Sequence, residues 1–278
     1  MNIENTSILE YTGERMVPES ADMFTFWEHV YRYAFASRFV RGKRVLDIAC
    51  GEGYGAAALQ KAGAAQVIGV DVSESTCSHA RNKYSLDVRP GTAERIPLPD
   101  NCVDVVVSYE TIEHVPNPDR FLDECVRVLV PGGRLVISTP NKEIYSGQLG
   151  VRNQYHCSEM TEEEFESALR ARFHDTHFYT QRPESAAWWS PRTLVCENTR
   201  WRRIRGFQRV RKAVQRTIFP ETVSEPTAKE RTSAVDLILE VARSKRRLLN
   251  QYVVRSRRRW HRERSVYIVA TAVRQDST

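Results

Sequence analysis

The sequence predicts an α/β fold built on a doubly wound, mainly parallel sheet, and two observations carry that prediction. In RVLDIACGEGYG, Arg44 to Gly55, the apolar run Val45, Leu46 and Ile48 meets a glycine-rich turn, and AAALQKAG then opens a helix. The strand-then-helix pattern recurs: VIGVDVS precedes SESTCSHARNKY, and CVDVVVSYETIEHV precedes PDRFLDECVRVL, whose Phe121, Leu122, Cys125, Val126 and Leu129 share one side. Such alternation lays parallel strands side by side with helices across them.

Taken in order, residues 1–43 carry Phe24, Phe26, Trp27, Tyr31, Tyr33, Phe35 and Phe39 at loosely helical spacing, which predicts a helical segment that is mostly core. The first strand ends at the glycine turn, and a helix follows over 55–62. Residues 66–71 form the second strand, with a Ser or Glu cap on the next helix. Val88–Pro90 is a short third strand, 103–108 the fourth, and PGGRLVISTPN a turn and fifth strand. Thr161 and Glu164 stand in S/T-x-x-E spacing at the head of a helix. Phe178–Thr180 reads as a sixth strand and SVYIVATAV, 265–273, as the last. Residues 182–264 are then an insertion before it. Within it Phe207, Val210, Val214 and Ile218 recur at helical spacing, as do Val235, Ile238, Leu239, Ala242, Leu249 and Tyr252. Both stripes need a partner surface: a cap over a substrate cleft, a dimer interface or a membrane face.

Glycines 51, 53 and 55 let the backbone turn tightly and let a ligand approach, while the first N–H groups of the helix attract a carboxylate or phosphate. Dehydrogenases use a similar turn for pyrophosphate, but Asp47, inside the strand, would repel one and asks for a cation instead. Asp71 closes the second strand, twenty residues after Gly51, where its carboxylate can accept hydrogen bonds from both hydroxyls of a ribose. S-adenosylmethionine offers an ammonium, a carboxylate, a sulfonium and a ribose together.

Through VLDIACGEGYG, VIGVDVS, AERIPLPDNCVDVVVSYETIEHV and LVPGGRLVISTPN, about residues 44 to 141, the chain resembles the class I S-adenosylmethionine-dependent methyltransferases. GERMVPE and HVYRYAFA are similar to a bacterial subgroup often involved in surface-glycan synthesis. The resemblance implies a Rossmann-like seven-stranded sheet with an antiparallel last strand and a helical insertion before it. It implies a lid over 1–43, with Arg15 and Tyr33 at the cofactor, a core over 44–181 and 265–278, and a basic insertion over 182–264. It also implies cofactor contacts at Asp47, Ala49, Gly51, Gly53, Tyr54, Asp71, Val72, Ala93, Glu94 and Tyr109. Thr92 departs from the acid usual before Ala93 and Glu94, so the backbone at Ala93 is the expected meeting point with adenine.

The net charge of +6 conceals a segregation. Residues 182–264 hold 22 Lys and Arg against 8 Asp and Glu, and the remainder of the chain 19 against 27. That basic segment, ending in RSRRRWHRER, predicts a polyanionic neighbour: a phosphate-bearing acceptor, RNA or an anionic membrane face. Locally paired arginines on solvated helices are the plain alternative. No apolar run reaches 18 residues, and acids occupy the place of a signal sequence's apolar stretch, so the expected compartment is the cytoplasm. Six cysteines without paired spacing are expected as reduced thiols.

Methyl transfer is an in-line displacement on a sulfonium, so alignment is most of the task, but a hydroxyl acceptor also needs a base or a metal. His114, directly after the fourth strand, is the first candidate base and His156 the second. The run Glu110, Glu113, His114 with the later His156 resembles metal-assisted O-methyltransferases of small-RNA ends and quinone precursors, which implies Mg²⁺ or Mn²⁺ as an alternative. The function expected is O-methylation of a sugar, glycan or nucleotide-sugar-derived acceptor. An RNA, quinone or lipid methyltransferase and a non-catalytic cofactor-binding protein are the alternatives.

Overall fold

A computed structural model describes residues 16–18, 21, 23–181, 234–243, 254–256 and 266–275. The stripe 207–218, most of the basic run, Arg15 and Cys196 lie outside the described residues.

Eight strands form one sheet: β1 (Arg44–Ile48), β2 (Gln66–Asp71), β3 (Asp87–Pro90), β4 (Val103–Tyr109), β5 (Leu129–Pro140), β6 (Phe173–Gln181), β7 (Val254–Ser256) and β8 (Tyr267–Arg274). Their order is β3-β2-β1-β4-β5-β8-β6-β7; β1 to β5 run parallel, while β8 pairs antiparallel with both β5 and β6. This is the Rossmann-like seven-stranded sheet, widened by the three-residue edge strand β7 that hydropathy does not reveal. β6 is longer than its apolar part. FHDTHFYTQ has a polar first half, yet β8 pairs along it, with an irregularity between His174 and His177.

Helices cover both faces. On one lie α1 (Met23–Ala36), α2 (Tyr54–Lys61), α3 (Glu74–Tyr84) and α6 (Ala234–Arg243), which bury Phe26, Val30, Leu59, Cys77 and Ile238 against Val45, Val105 and Val107. On the other lie α4 (Pro118–Val128) and α5 (Glu162–Arg170), whose Phe121, Leu122, Phe165 and Leu169 meet Leu46, Val106 and Ile268. The helix starts follow their local chemistry. Ser73 caps α3, Asn117 caps α4 ahead of Pro118, and Thr161 and Glu164 form a complete capping box on α5.

The described stretch of the insertion packs beside the sheet. Val235, Ile238 and Leu239 of α6 are buried, the helix lies on α1 and α2, and none of residues 234–243 lines the cavity described below. No described helix is long and apolar enough to cross a membrane. The described cysteines are free thiols.

Candidate active site

A cavity of about 530 Å³ lies along the carboxyl edge of the parallel strands, where an open α/β sheet places its ligands. Its floor runs with the sheet order: Gly91 after β3, Asp71 and Val72 at the end of β2, Ala49 to Gly51 after β1, Tyr109 to Thr111 at the end of β4, and Tyr267 at the start of β8. Helix α1 closes one side with Thr25, Glu28, His29, Arg32 and Tyr33, and the segment after β5 supplies Tyr145, Asn153 and His156.

The glycine turn is held from two directions. Gly51 and Gly53 have φ of 55° and 91°, and the Gly51 N–H donates to Asp71 Oδ2 at 3.0 Å, while Ser73 N–H donates to Oδ1 at 3.0 Å. Asp71 therefore ties β2 to the turn and, with lone pairs left on both oxygens, can still accept from ribose hydroxyls. Next to it Val72 is 75% exposed, an apolar surface open to a planar base. Ala93 and Glu94 line the cavity as well, and the Glu94 carboxylate accepts from Asn117 N–H at 3.0 Å, which ties it to the head of α4.

Two expected contacts stand back from the cavity. Asp47 is 1% exposed and does not line it; the Tyr33 hydroxyl donates to its two oxygens, at 3.2 Å from each, and takes the wall position instead. Burial, opposed by the Tyr33 hydrogen bond and assisted by Asp71, raises the Asp47 pKa from 3.8 to about 8. Asp47 is thus mostly protonated near neutral pH, so the negative charge on which the cation argument rests is not placed at the cavity, and Tyr33 stands there instead. Gly53 also leaves the wall to its neighbours: a Cβ there would lie 2.8 Å from Ala80 Cβ, so this glycine serves the packing of the turn on α3. Tyr54, by contrast, lines the cavity and its hydroxyl pairs with His29 Nδ1 at 2.8 Å. Tyr109 packs edge-on against Tyr33 and donates to the Arg32 carbonyl oxygen at 2.7 Å, which props α1 over the site.

At the other end the structure brings together three of the four expected metal or base residues. Ligand atoms of Glu113, His114 and His156 lie within 4.8 Å of one another. His114 Nδ1 is 3.2 Å from the Tyr155 carbonyl oxygen, which can only accept, so Nδ1 carries the proton and Nε2 is the basic nitrogen of the neutral ring. His156 is held by Glu159 Oε1 at 2.7 Å from Nδ1 and stacks on Tyr145. Glu113 is fully enclosed: Thr139 donates to Oε2 at 3.2 Å, and Oε1 has no hydrogen-bond partner among the described residues. Burial first, then the neighbouring Glu110, pushes the Glu113 carboxyl well above its ordinary range. Glu110 itself is outside the trio, with its carboxylate on Arg32 and Ser138. Arg32, Glu28, Tyr145, Asn153 and Tyr267 line the cavity without having been singled out in the sequence.

One cavity thus joins a glycine turn, a carboxylate with lone pairs to spare, an exposed apolar flank and an imidazole nitrogen that can accept a proton. Residues 46–137 match the methyltransferase domain family. A probable S-adenosylmethionine-dependent methyltransferase of Mycolicibacterium smegmatis is 40% identical over 166 residues, 59% of this chain and 64% of that protein. The chain thus spans under two thirds of the length of that relative. A ubiquinone biosynthesis O-methyltransferase of Agrobacterium fabrum is 35% identical over 45% of this chain and 51% of its own length. Among solved structures, a methyltransferase of Thermotoga maritima described as a possible histamine N-methyltransferase superposes with a TM-score of 0.56 at 17% identity, covering 90% of this chain and 93% of that one, a likeness of fold. Residues 46–137 thus form a class I methyltransferase domain, of the kind that takes S-adenosylmethionine as its methyl donor.

Proposed function

We propose that the whole chain is an S-adenosylmethionine-dependent O-methyltransferase whose acceptor is a hydroxyl of a sugar or glycan. The observation that carries the reading is the placement of Glu113, His114 and His156 in the same cavity as the Asp71-bound glycine turn, so that a proton acceptor faces the reacting end.

S-adenosylmethionine, when bound, supplies an electrophilic methyl group on a sulfonium. Asp71 and the Gly51 turn would hold it, Val72 and Ala93 would flank its base, and Tyr33, backed by Asp47, would face its charged portion. Chain residues then order the acceptor: His114 Nε2 takes the hydroxyl proton while Tyr155 fixes the ring through Nδ1. The enclosing α1 keeps water from the nucleophile, and alignment can account for ~7–11 kcal/mol of the barrier. The sequence likeness at GERMVPE and HVYRYAFA favours a glycan acceptor. The relatives named for ubiquinone biosynthesis support a phenolic acceptor as runner-up.

Incubation of the full chain with methyl-labelled donor and fractionated glycans, lipids, phenolic quinone precursors and RNA is the test. Label in the glycan fraction is the expected result. Label only in phenols or RNA would move the acceptor, and cofactor binding without any labelled product would leave a binding protein. RNA, or an anionic membrane, would engage the basic segment 182–264, most of which lies outside the described residues, and a homodimer would draw on the same segment.

A second reading follows from Glu113 Oε1, a buried acceptor without a hydrogen-bond partner among the described residues, beside two imidazoles. One carboxylate and two histidines suit Mn²⁺, Mg²⁺ or Zn²⁺, and the Glu159 and Tyr155 contacts at the two Nδ1 atoms resemble the outer support that metal-binding histidines receive. Activity that survives chelator while His114→Ala lowers turnover by ~10²–10⁴-fold assigns the base. Activity lost in chelator, restored by Mn²⁺, and lost equally in Glu113→Gln and His156→Ala assigns the ion.

A further inference from the structure

Arg32 is the bulkiest fully enclosed side chain among the described residues, at 1% exposure. A guanidinium so buried needs compensation on every side. Its Nε donates to Gln181 Oε1 at 2.6 Å, Nη2 lies 3.7 Å from Glu28 Oε2, and the plane sits 4.5 Å above the centre of the Tyr267 ring. Nη1 is different. It is 3.1 Å from Glu110 Oε1, yet it makes no aligned hydrogen bond with any described residue.

Glu110 has the complementary property. Its Oε1 is engaged by Ser138 at 2.7 Å and by the Arg32 charge, whereas no described residue donates to Oε2. Its φ of 50° is costly for a side chain of this kind and persists because the surroundings impose it. Both residues line the cavity. Sheet order separates them from the ribose end: Asp71 closes β2, Glu110 follows β4 two strands away, and Tyr267, under Arg32, opens β8 two strands further.

We propose that Arg32 and Glu110 form an acceptor subsite that reads two neighbouring uncharged hydroxyls. Arg32 Nη1 donates to one oxygen, and the Glu110 carboxylate accepts the proton of the other, so the pair offers a donor beside an acceptor to two neighbouring hydroxyls. Glu28 and Glu110 already supply carboxylates to this guanidinium, so its Nη1 suits an uncharged oxygen rather than a further anion. The subsite rests on reading this end of the cavity as the acceptor end and narrows the acceptor to a vicinal diol, sugar or catechol, within it.

The test uses the full chain, chelator-treated and loaded with S-adenosylhomocysteine, titrated with catechol against phenol and with cis vicinal cyclohexanediol against cyclohexanol by saturation-transfer NMR. Each diol should bind about tenfold tighter than its mono-ol, since the mono-ol leaves a buried polar partner unpaired. Glu110→Gln, nearly isosteric, should bring that ratio close to one while the affinity for S-adenosylhomocysteine stays unchanged, and Arg32→Lys should do the same where it folds. A purely structural pair would alter melting temperature and leave the ratio intact. No diol preference in the wild type, or a preference that survives Glu110→Gln, overturns the proposal. Failure to bind S-adenosylhomocysteine would instead strike at the methyltransferase reading, and the diol ratio can be measured without that ligand.

Discussion

The Tyr33 hydroxyl stands 3.2 Å from each carboxylate oxygen of Asp47, and the same ring lies across Gly55, where an added Cβ would come within 2.0 Å of Tyr33 Cζ. One tyrosine thus seals a buried acid in β1, fills the hollow over the first turn of α2 and presents α1 to the cavity. Tyr54 and Tyr109 brace it edge-on.

Asp47 should make stability pH-dependent. Its pKa in the folded protein, about 8, lies above its ordinary 3.8, so the folded chain retains a proton that the unfolded chain has released. The Asp47 contribution to stability is therefore lost as pH rises between those two values and is constant beyond them. Asp47→Asn removes this dependence. Thermal melts of the cofactor-free protein should show the variant gaining on the wild type as pH rises from 5 to ~8; a constant difference would mean that Asp47 is ionised throughout.

Gly55→Ala should be poorly tolerated. The methyl group overlaps the Tyr33 ring, and forcing it in displaces α1 at a cost of at least ~1–3 kcal/mol. Calorimetric melting reads that loss, and pairing the change with Tyr33→Ala should recover part of it, which a double-mutant cycle measures. Simple additivity would show that the two residues do not meet.

Asp71→Ala should loosen both the ligand and the turn that holds it. The variant forfeits the Gly51 and Ser73 amide bonds, each charge-assisted and worth ~1.5–3 kcal/mol, as well as any ribose hydroxyls. Titration calorimetry with S-adenosylhomocysteine should show clearly weaker binding, and an unchanged affinity would remove Asp71 from the site.

Thr161→Ala separates stability from chemistry. The capping box on α5 lies outside the cavity lining, so the change should cost ~1 kcal/mol in denaturant melts with cofactor affinity unaltered. Loss of affinity in this variant would connect α5 to the site by a route that the contacts do not show.

The parts of the fold legible in the sequence are those where local and long-range demands agree. Val45, Leu46 and Ile48 beside three glycines can be little else than a buried strand and a tight turn, and Thr161 with Glu164 reads as a helix start without any tertiary information. Asp71 was visible for the same reason, as an acid ending a strand next to that turn. The remainder was hidden by nonlocal pairing. β6 owes its polar first half to β8, more than ninety positions along the chain, and β7 has too few residues to carry a pattern. Arg32 and Glu28 look like the wet side of an amphipathic helix until β6, β8 and Glu110 are placed against them. Tyr145 and Asn153 sit on a segment with no motif of its own, and the pattern that marks β8 as a strand does not say that Tyr267, its first residue, meets the wall.

The position of β8 between β5 and β6 governs the order in which the protein can be assembled. On a ribosome, β1 to β5 can pair as they emerge, each beside a neighbour already made. β6 cannot: apart from the brief edge strand β7, its partner is β8, so Phe173–Gln181 must wait until residues 267–274 have been translated. Tyr267, on which Arg32 rests, arrives with them. The nascent chain therefore builds the Asp71 half of its cavity early and the Arg32 half last. A ribosome-stalled chain ending before residue 267 should show the first without the second.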